Sequence, residues 1–126
     1  MALRSYQELI GWKKSMALVT ERYRCTQNFP RPEMYGLTSQ LRRAAISIPS
    51  NIAEGQGRRS RGEFKQFLGH ARGSVFELES QIIIARNLGY LDQDSAQSLL
   101  SRITELGRII NGLLNSLDRA SESIQN

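Results

Sequence analysis

The sequence predicts an all-α fold: an antiparallel, up-down-up-down four-helix bundle in a single domain, residues 1–126, with its second helix kinked at Pro49. Three observations lead there. Apolar residues recur at steps of three and four in four separate stretches, the spacing that lines one face of a helix. Proline or glycine punctuates the gaps, and gaps this short place consecutive helices side by side and antiparallel. No stretch alternates Val, Ile or Thr with polar residues between turn signals, as a half-buried strand would.

The first helix is expected from Ser5 to Gln27, with Leu9, Trp12, Met16, Val19 and Tyr23 as its buried stripe. Ser5 and Glu8 have the spacing of a capping box. The segment Asn28-Phe29-Pro30-Arg31-Pro32 ends this helix, because proline lacks a donor and restricts the residue before it. The second helix is expected from Glu33 or Tyr35 to Glu54, buried along Leu37, Leu41, Ala44 or Ala45, Ile48 and Ile52. Pro49 leaves the carbonyl of Ala45 without its helical donor and predicts a kink, a break into two helices being the competing reading. Ile48 and Ile52 stay in phase with Leu41, which favours the kink. Gly55-Gln56-Gly57 then stops the helix.

The third helix has the most regular pattern. Ser60 and Glu63 form a second capping-box pair, and Phe64, Leu68, Ala71, Val75, Leu78, Ile82 and Ala85 follow at steps of four and three. Gly89 stands where a C-terminal cap belongs, with Leu88 and Tyr90-Leu91 as its hydrophobic contacts. The fourth helix opens at Asp92 or Asp94 and runs through Leu99, Ile103, Leu106, Ile110, Leu113, Leu117, Ala120 and Ile124, fraying after about Ala120. In this topology the Gly55–Arg59 loop lies at the end of the bundle that holds the N-terminus.

The helices carry more apolar residues than one seam needs: Ile10 and Leu18, then Phe67, Phe76, Ile83 and Ile84, then Leu100, Ile109 and Leu114. An extra e or g position is ordinary in a globular helix. Ile83 and Leu114 are the hardest to place inside four helices, and self-association is the expected use of the surplus.

Composition narrows the function classes. A chain of 126 residues, 40% hydrophobic and 23% charged, is long enough for its own core and unlike a disordered chain. The one cysteine, Cys25, excludes an intrachain disulfide framework and fits a reducing, cytoplasmic setting. No apolar run approaches the ~20 residues of a membrane helix, so no membrane partner is expected. Arg4 and Glu8 interrupt the stretch a signal peptide would keep apolar.

The net charge of +5 is concentrated. Between residues 42 and 72 lie seven basic side chains, Arg42, Arg43, Arg58, Arg59, Arg61, Lys65 and Arg72, against two acids, Glu54 and Glu63. The rest of the chain is balanced, so this quarter holds the whole excess. A solvated charge run is the plain reading; a localised basic excess is also the electrostatic footprint of nucleic-acid binding. No aromatic residue interleaves with the basic residues of the loop, which argues against base stacking there.

Catalytic chemistry has little support. His70 is the only histidine, and neither it nor Cys25 has companions at metal-ligand spacing, so no metal and no cofactor are expected. Glu77 and Glu79, two apart on a helix, point to different faces. Gly55-Gln56-Gly57 followed by two arginines follows no strand and lacks the Gly-Lys-Ser/Thr of a phosphate loop.

The stretch YGLTSQLRRAAISIPSNIAEGQG over residues 35–57 is preceded by FPRPEM and followed by GEFKQFLGHARGSVFELESQ and LGYL. It resembles the four-helix-bundle family of ribosomal-RNA intervening-sequence proteins, small bacterial proteins encoded within insertions in large-subunit ribosomal RNA genes. The likeness covers nearly the whole chain, and RRAAISIPSNIAEG is its distinctive part. The resemblance implies a ring-like homopentamer. It also implies kinship with the accessory variability determinant of diversity-generating retroelements, a basic pentamer that binds nucleic acid and works with a reverse transcriptase. It marks Arg42, Arg43, Pro49, Asn51, Glu54 and Gly55; for Asn51 and Glu54 the alternative is that they bond the backbone freed by Pro49 and cap the turn at Gly55.

The expectation is therefore a non-catalytic homo-oligomer that holds RNA or DNA by its phosphates through the seven basic residues. Such contacts position a protein without reading sequence. The alternative is a protein-interaction scaffold for a neighbouring enzyme such as a reverse transcriptase, without direct nucleic-acid binding.

Overall fold

The computed structural model describes residues 6–125, with side chains over 10–119 apart from Arg22. Four helices follow in order: α1 over Tyr6–Thr26, α2 over Leu37–Gln56, α3 over Arg61–Asn87 and α4 over Gln93–Gln125. A single 3-10 turn, Arg31–Glu33, lies between α1 and α2. Each helix packs on two neighbours, in the order α1–α2–α3–α4 and back to α1, and among the described residues none packs across the diagonal. Cross-helix contacts give the directions. Lys14 in the middle of α1 pairs with Glu105 of α4 at 2.6 Å. Lys65 near the start of α3 pairs with Asp118 near the end of α4. Ser47 of α2 meets Ser74 of α3 at 2.8 Å. The result is the up-down-up-down bundle, with no strand among the described residues.

The core follows the expected spacing on three of the four helices. Leu41, Ile48 and Ile52 of α2, Phe64, Leu68, Ala71, Val75, Leu78, Ile82 and Ala85 of α3, and Leu99, Ile103, Leu106, Ile110 and Leu113 of α4 are all buried. Leu18 and Leu114 join them, so part of the apolar surplus is ordinary core. Ile83 is half-buried, while Phe76 and Ile84 remain exposed on α3.

The stripe expected on α1 is only partly right. Trp12 and Val19 are half-buried, but Met16 and Tyr23 are exposed. The side that turns inward carries Gly11, Ser15, Leu18 and Thr26. Apart from Leu18, its residues are small or self-satisfied. A Cβ on Gly11 would stand 3.3 Å from Ile109 Cγ2, and the Ser15 hydroxyl donates to the Trp12 carbonyl at 2.8 Å. Close helix approach selected this side, and apolar spacing does not register glycine or serine. Leu9, the Ser5–Glu8 pair, Ala120 and Ile124 lie outside the described residues and side chains.

The helix ends show why the boundaries shift by a few residues. Pro30 precedes a 3-10 turn that contains Pro32, and α2 begins only at Leu37, whose N–H reaches the Glu33 carboxylate at 3.5 Å. α2 continues through Pro49 as one helix to Gln56, so the break does not occur and Gly55 lies inside the helix. Gly55 is buried because α3 crosses it: an added Cβ would lie 2.8 Å from Phe64 Cδ1. Ser60 caps α3, its Oγ accepting from the Glu63 N–H at 3.1 Å. At the other end the Tyr90 N–H bonds the Ala85 carbonyl and the Gly89 N–H the Arg86 carbonyl, with Gly89 at φ +80°. That pair of bonds is the Schellman arrangement, which requires the left-handed conformation glycine adopts without strain. Asp92 caps α4 by accepting the Ser95 N–H at 2.7 Å. α4 is helical through Ala120 to Gln125. Tyr90 closes this end by donating its hydroxyl to Glu33 at 2.9 Å, which holds the phenol above its ordinary pKa.

Candidate nucleic-acid interface

The link between α2 and α3 is four residues long, Gly57 to Ser60. Gly57 N–H bonds back to Ala53 and Glu54, and Arg58 N–H to Gly55, so the turn is tightly wound. This fixes Arg58, Arg59 and Arg61 at one end of the bundle, with Lys65 one turn further along α3. Their surroundings differ. Arg58 meets Glu54 Oε1 at 2.7 Å and lies over the Phe67 ring, 4.7 Å from its centroid. Lys65 is paired with Asp118. Arg59 is exposed and Arg61 half-buried, and neither has an ion-pair or hydrogen-bond partner among the described residues. Arg72, two turns beyond Lys65, reaches the Asn111 side chain at 3.4 Å and faces no carboxylate among the described residues.

Arg42 and Arg43 do not join this group. About 20 Å of helix separates Arg43 from the end of α2. Arg42 turns toward α1: its Nε donates to Thr26 Oγ1 at 3.0 Å, and its guanidinium lies 4.6 Å from the Tyr23 ring centroid. Lys65 and Arg72 instead contact α4. In a square bundle the α1–α2 and α3–α4 seams are on opposite sides. The seven basic residues thus form two sites, five around the α2–α3 turn and down α3, and two on α2 beside α1.

The second site holds what the sequence did not reveal. Arg42 and Arg43 line an open groove of about 690 Å³ together with Tyr23, Met34, Tyr35 and Ile46. Tyr35 is 96% exposed. The loop indeed lacks interleaved aromatics, but folding supplies two here, one from α1 and one from the turn before α2. Spacing alone places Tyr23 in the core and Tyr35 at a helix start. The available signal was a Met-Tyr pair stranded between two prolines and Gly36, where no helix face could bury it.

The motif residues have structural partners. Asn51 Nδ2 donates to the Ser47 carbonyl at 2.8 Å and to its hydroxyl at 2.9 Å. The bonded carbonyl is that of Ser47, not that of Ala45, which Pro49 leaves without a donor. Glu54 pairs with Arg58 rather than capping the turn. Cys25 is half-buried, and His70 stands on the surface with its ring edge-on to Phe67 at 5.9 Å. Among the described residues no three His, Cys, Asp or Glu side chains gather as metal ligands would. No described helix is long and apolar enough to cross a membrane.

A family model for the 23S rRNA-intervening sequence protein matches residues 7–112. The chain belongs to that family. The intervening-sequence fold also appears in a crystal structure of a protein of unknown function from the S23 ribosomal protein family of Bacteroides thetaiotaomicron. That structure matches with a TM-score of 0.81 at 18% identity, over 86% of this chain and 98% of that one. At this identity the likeness speaks for the bundle alone. None of the curated proteins compared with this intervening-sequence protein matches it. Neither description names an enzymatic activity.

Proposed function

We infer that this intervening-sequence protein is a non-catalytic, cytoplasmic homo-oligomer that binds the phosphate backbone of RNA or DNA. The observation that carries the reading is the cluster at the α2–α3 turn. Arg59 and Arg61 have no carboxylate partner among the described residues, and Arg58 and Lys65 flank them. A phosphate meeting Arg59 and Arg61 displaces no ion pair among the described residues. Arg58 and Lys65 stand beside them, each held in place by its own carboxylate.

Assembly into a ring, with a pentamer as the expected form, repeats this cluster once per subunit. A ring needs two different patches meeting head to tail. The bundle offers two on different sides: Trp12, Met16 and Pro49 along the lower α1–α2 seam, and Phe76 with Ile84 on α3. The same α1–α2 seam favours the second reading, a scaffold that docks a neighbouring enzyme such as a reverse transcriptase.

The test compares two charge reversals of equal size. Arg59→Glu with Arg61→Glu should weaken binding to structured RNA and duplex DNA far more than Arg102→Glu with Arg108→Glu on the outer side of α4. Equal losses would reduce the effect to net charge. Absence of binding by the unmodified protein at low salt would leave the scaffold reading.

A further inference from the structure

The groove beside α1 combines features that the turn cluster lacks. Its rim carries Arg42 and Arg43, its floor is apolar through Met34 and Ile46, and Tyr23 and Tyr35 stand beside the arginines. Among the described residues no acidic side chain lines it. Arg42 is preset: Thr26 holds its Nε, and Tyr23 stacks under its guanidinium. That leaves the outer face of the guanidinium and its two terminal nitrogens without a hydrogen-bond partner among the described residues. Arg43 is exposed, also without such a partner. The Tyr35 ring, 96% exposed, leaves both of its faces to solvent. Water-facing aromatic and guanidinium planes beside unneutralised cations are the elements of a stacking platform for unpaired bases.

We propose that the Tyr23–Tyr35–Arg42–Arg43 groove binds single-stranded nucleic acid, with a base stacked on Tyr35 and adjoining phosphates held by Arg42 and Arg43. This rests on the nucleic-acid reading above and refines it. The turn cluster holds any phosphate backbone, whereas the groove selects strands whose bases are free to leave the stack. A paired base in a duplex cannot reach Tyr35, because its faces are covered by its neighbours. Stacking tolerates any base, so the preference is for strandedness and not for sequence.

The test uses full-length protein with two probes, oligouridine and a blunt RNA duplex, at one low salt concentration. Tyr35→Ala should weaken oligouridine binding by about 5- to 100-fold and leave duplex binding unchanged. Tyr35→Phe should restore it, since the ring and not the hydroxyl stacks. Arg43→Glu should weaken oligouridine more than duplex. Tyr35 makes almost no packing contact, so its truncation should leave the melting temperature unchanged. Unmodified protein that binds both probes, with Tyr35→Ala binding oligouridine equally well, would overturn this proposal and spare the turn cluster. Binding of neither probe by unmodified protein would overturn both. A changed assembly mass for Tyr35→Ala in light scattering would place the ring between copies of the chain and overturn the groove as a nucleic-acid site.

Discussion

Gly55 is the residue at which the RRAAISIPSNIAEG motif meets the fold most directly. Sequence pattern makes it part of a helix stop, yet it lies inside α2 at the crossing with α3. The missing Cβ is what allows Phe64 and Phe67 to approach. Adding one at 2.8 Å from Phe64 Cδ1 and 3.0 Å from Phe67 Cβ forces these rings or the helices apart. Gly55→Ala should therefore cost about 1–3 kcal/mol by overpacking, despite the better helix propensity of alanine. Urea unfolding measures it; a stabilised variant would contradict the crossing. Asp92 makes a different residue-scale prediction. Its backbone hydrogen bond from Ser95 holds the carboxyl below its ordinary pKa. The contribution to stability is then fully present above the ordinary aspartate value and is lost as pH falls through the lowered folded-state value. Asp92→Asn keeps a cap but removes this titration. Its stability relative to the parent should rise as pH falls through that window, and a difference constant with pH would contradict the assignment.

At the scale of elements, α3 and α4 were legible because large apolar side chains alone form their seams. Ser60 and Gly89 take the cap roles their spacing predicts, and of the two candidates Asp92 and Asp94 it is Asp92 that caps α4. α1 was legible as a helix but not in its orientation. Its inward side is chosen by Gly11 and Ser15, which permit approach to α4 but give no hydrophobic signal. Two substitutions on α1 separate the readings. Leu18→Ala should cost about 2–5 kcal/mol as a cavity in the core. Met16→Ala, at an exposed position, should stay within about 0.5 kcal/mol in the isolated subunit. Comparable losses in thermal unfolding at dilute concentration would return α1 to the apolar stripe. Leu78→Ala on α3 should match Leu18→Ala, since both side chains are fully enclosed.

At the scale of the molecule, charge arithmetic located the basic quarter but could not say how many sites it makes. That depends on which seam each side chain faces. Arg42 turns to Thr26 and Tyr23, whereas Lys65 and Arg72 turn to Asp118 and Asn111. A linear count places Arg43 and Arg58 in one run, and folding sends them to different sides of the bundle. The tyrosines of the groove were illegible for a related reason. Tyr23 and Tyr35 are twelve positions apart, and only the turn at Pro30–Pro32 brings them beside the same two arginines. Repetition of both sites around an oligomer would make binding avid through many weak phosphate contacts.

The central claim is that the turn cluster neutralises phosphates, and the salt dependence of binding tests it most directly. Binding of structured RNA should weaken linearly in log–log form as salt rises, by ~0.7–0.9 in slope for each phosphate contact. Arg59→Glu with Arg61→Glu should bind more weakly and with a shallower slope, because contacts are lost. A slope unchanged by those two reversals, or binding that does not weaken with salt, would contradict the account.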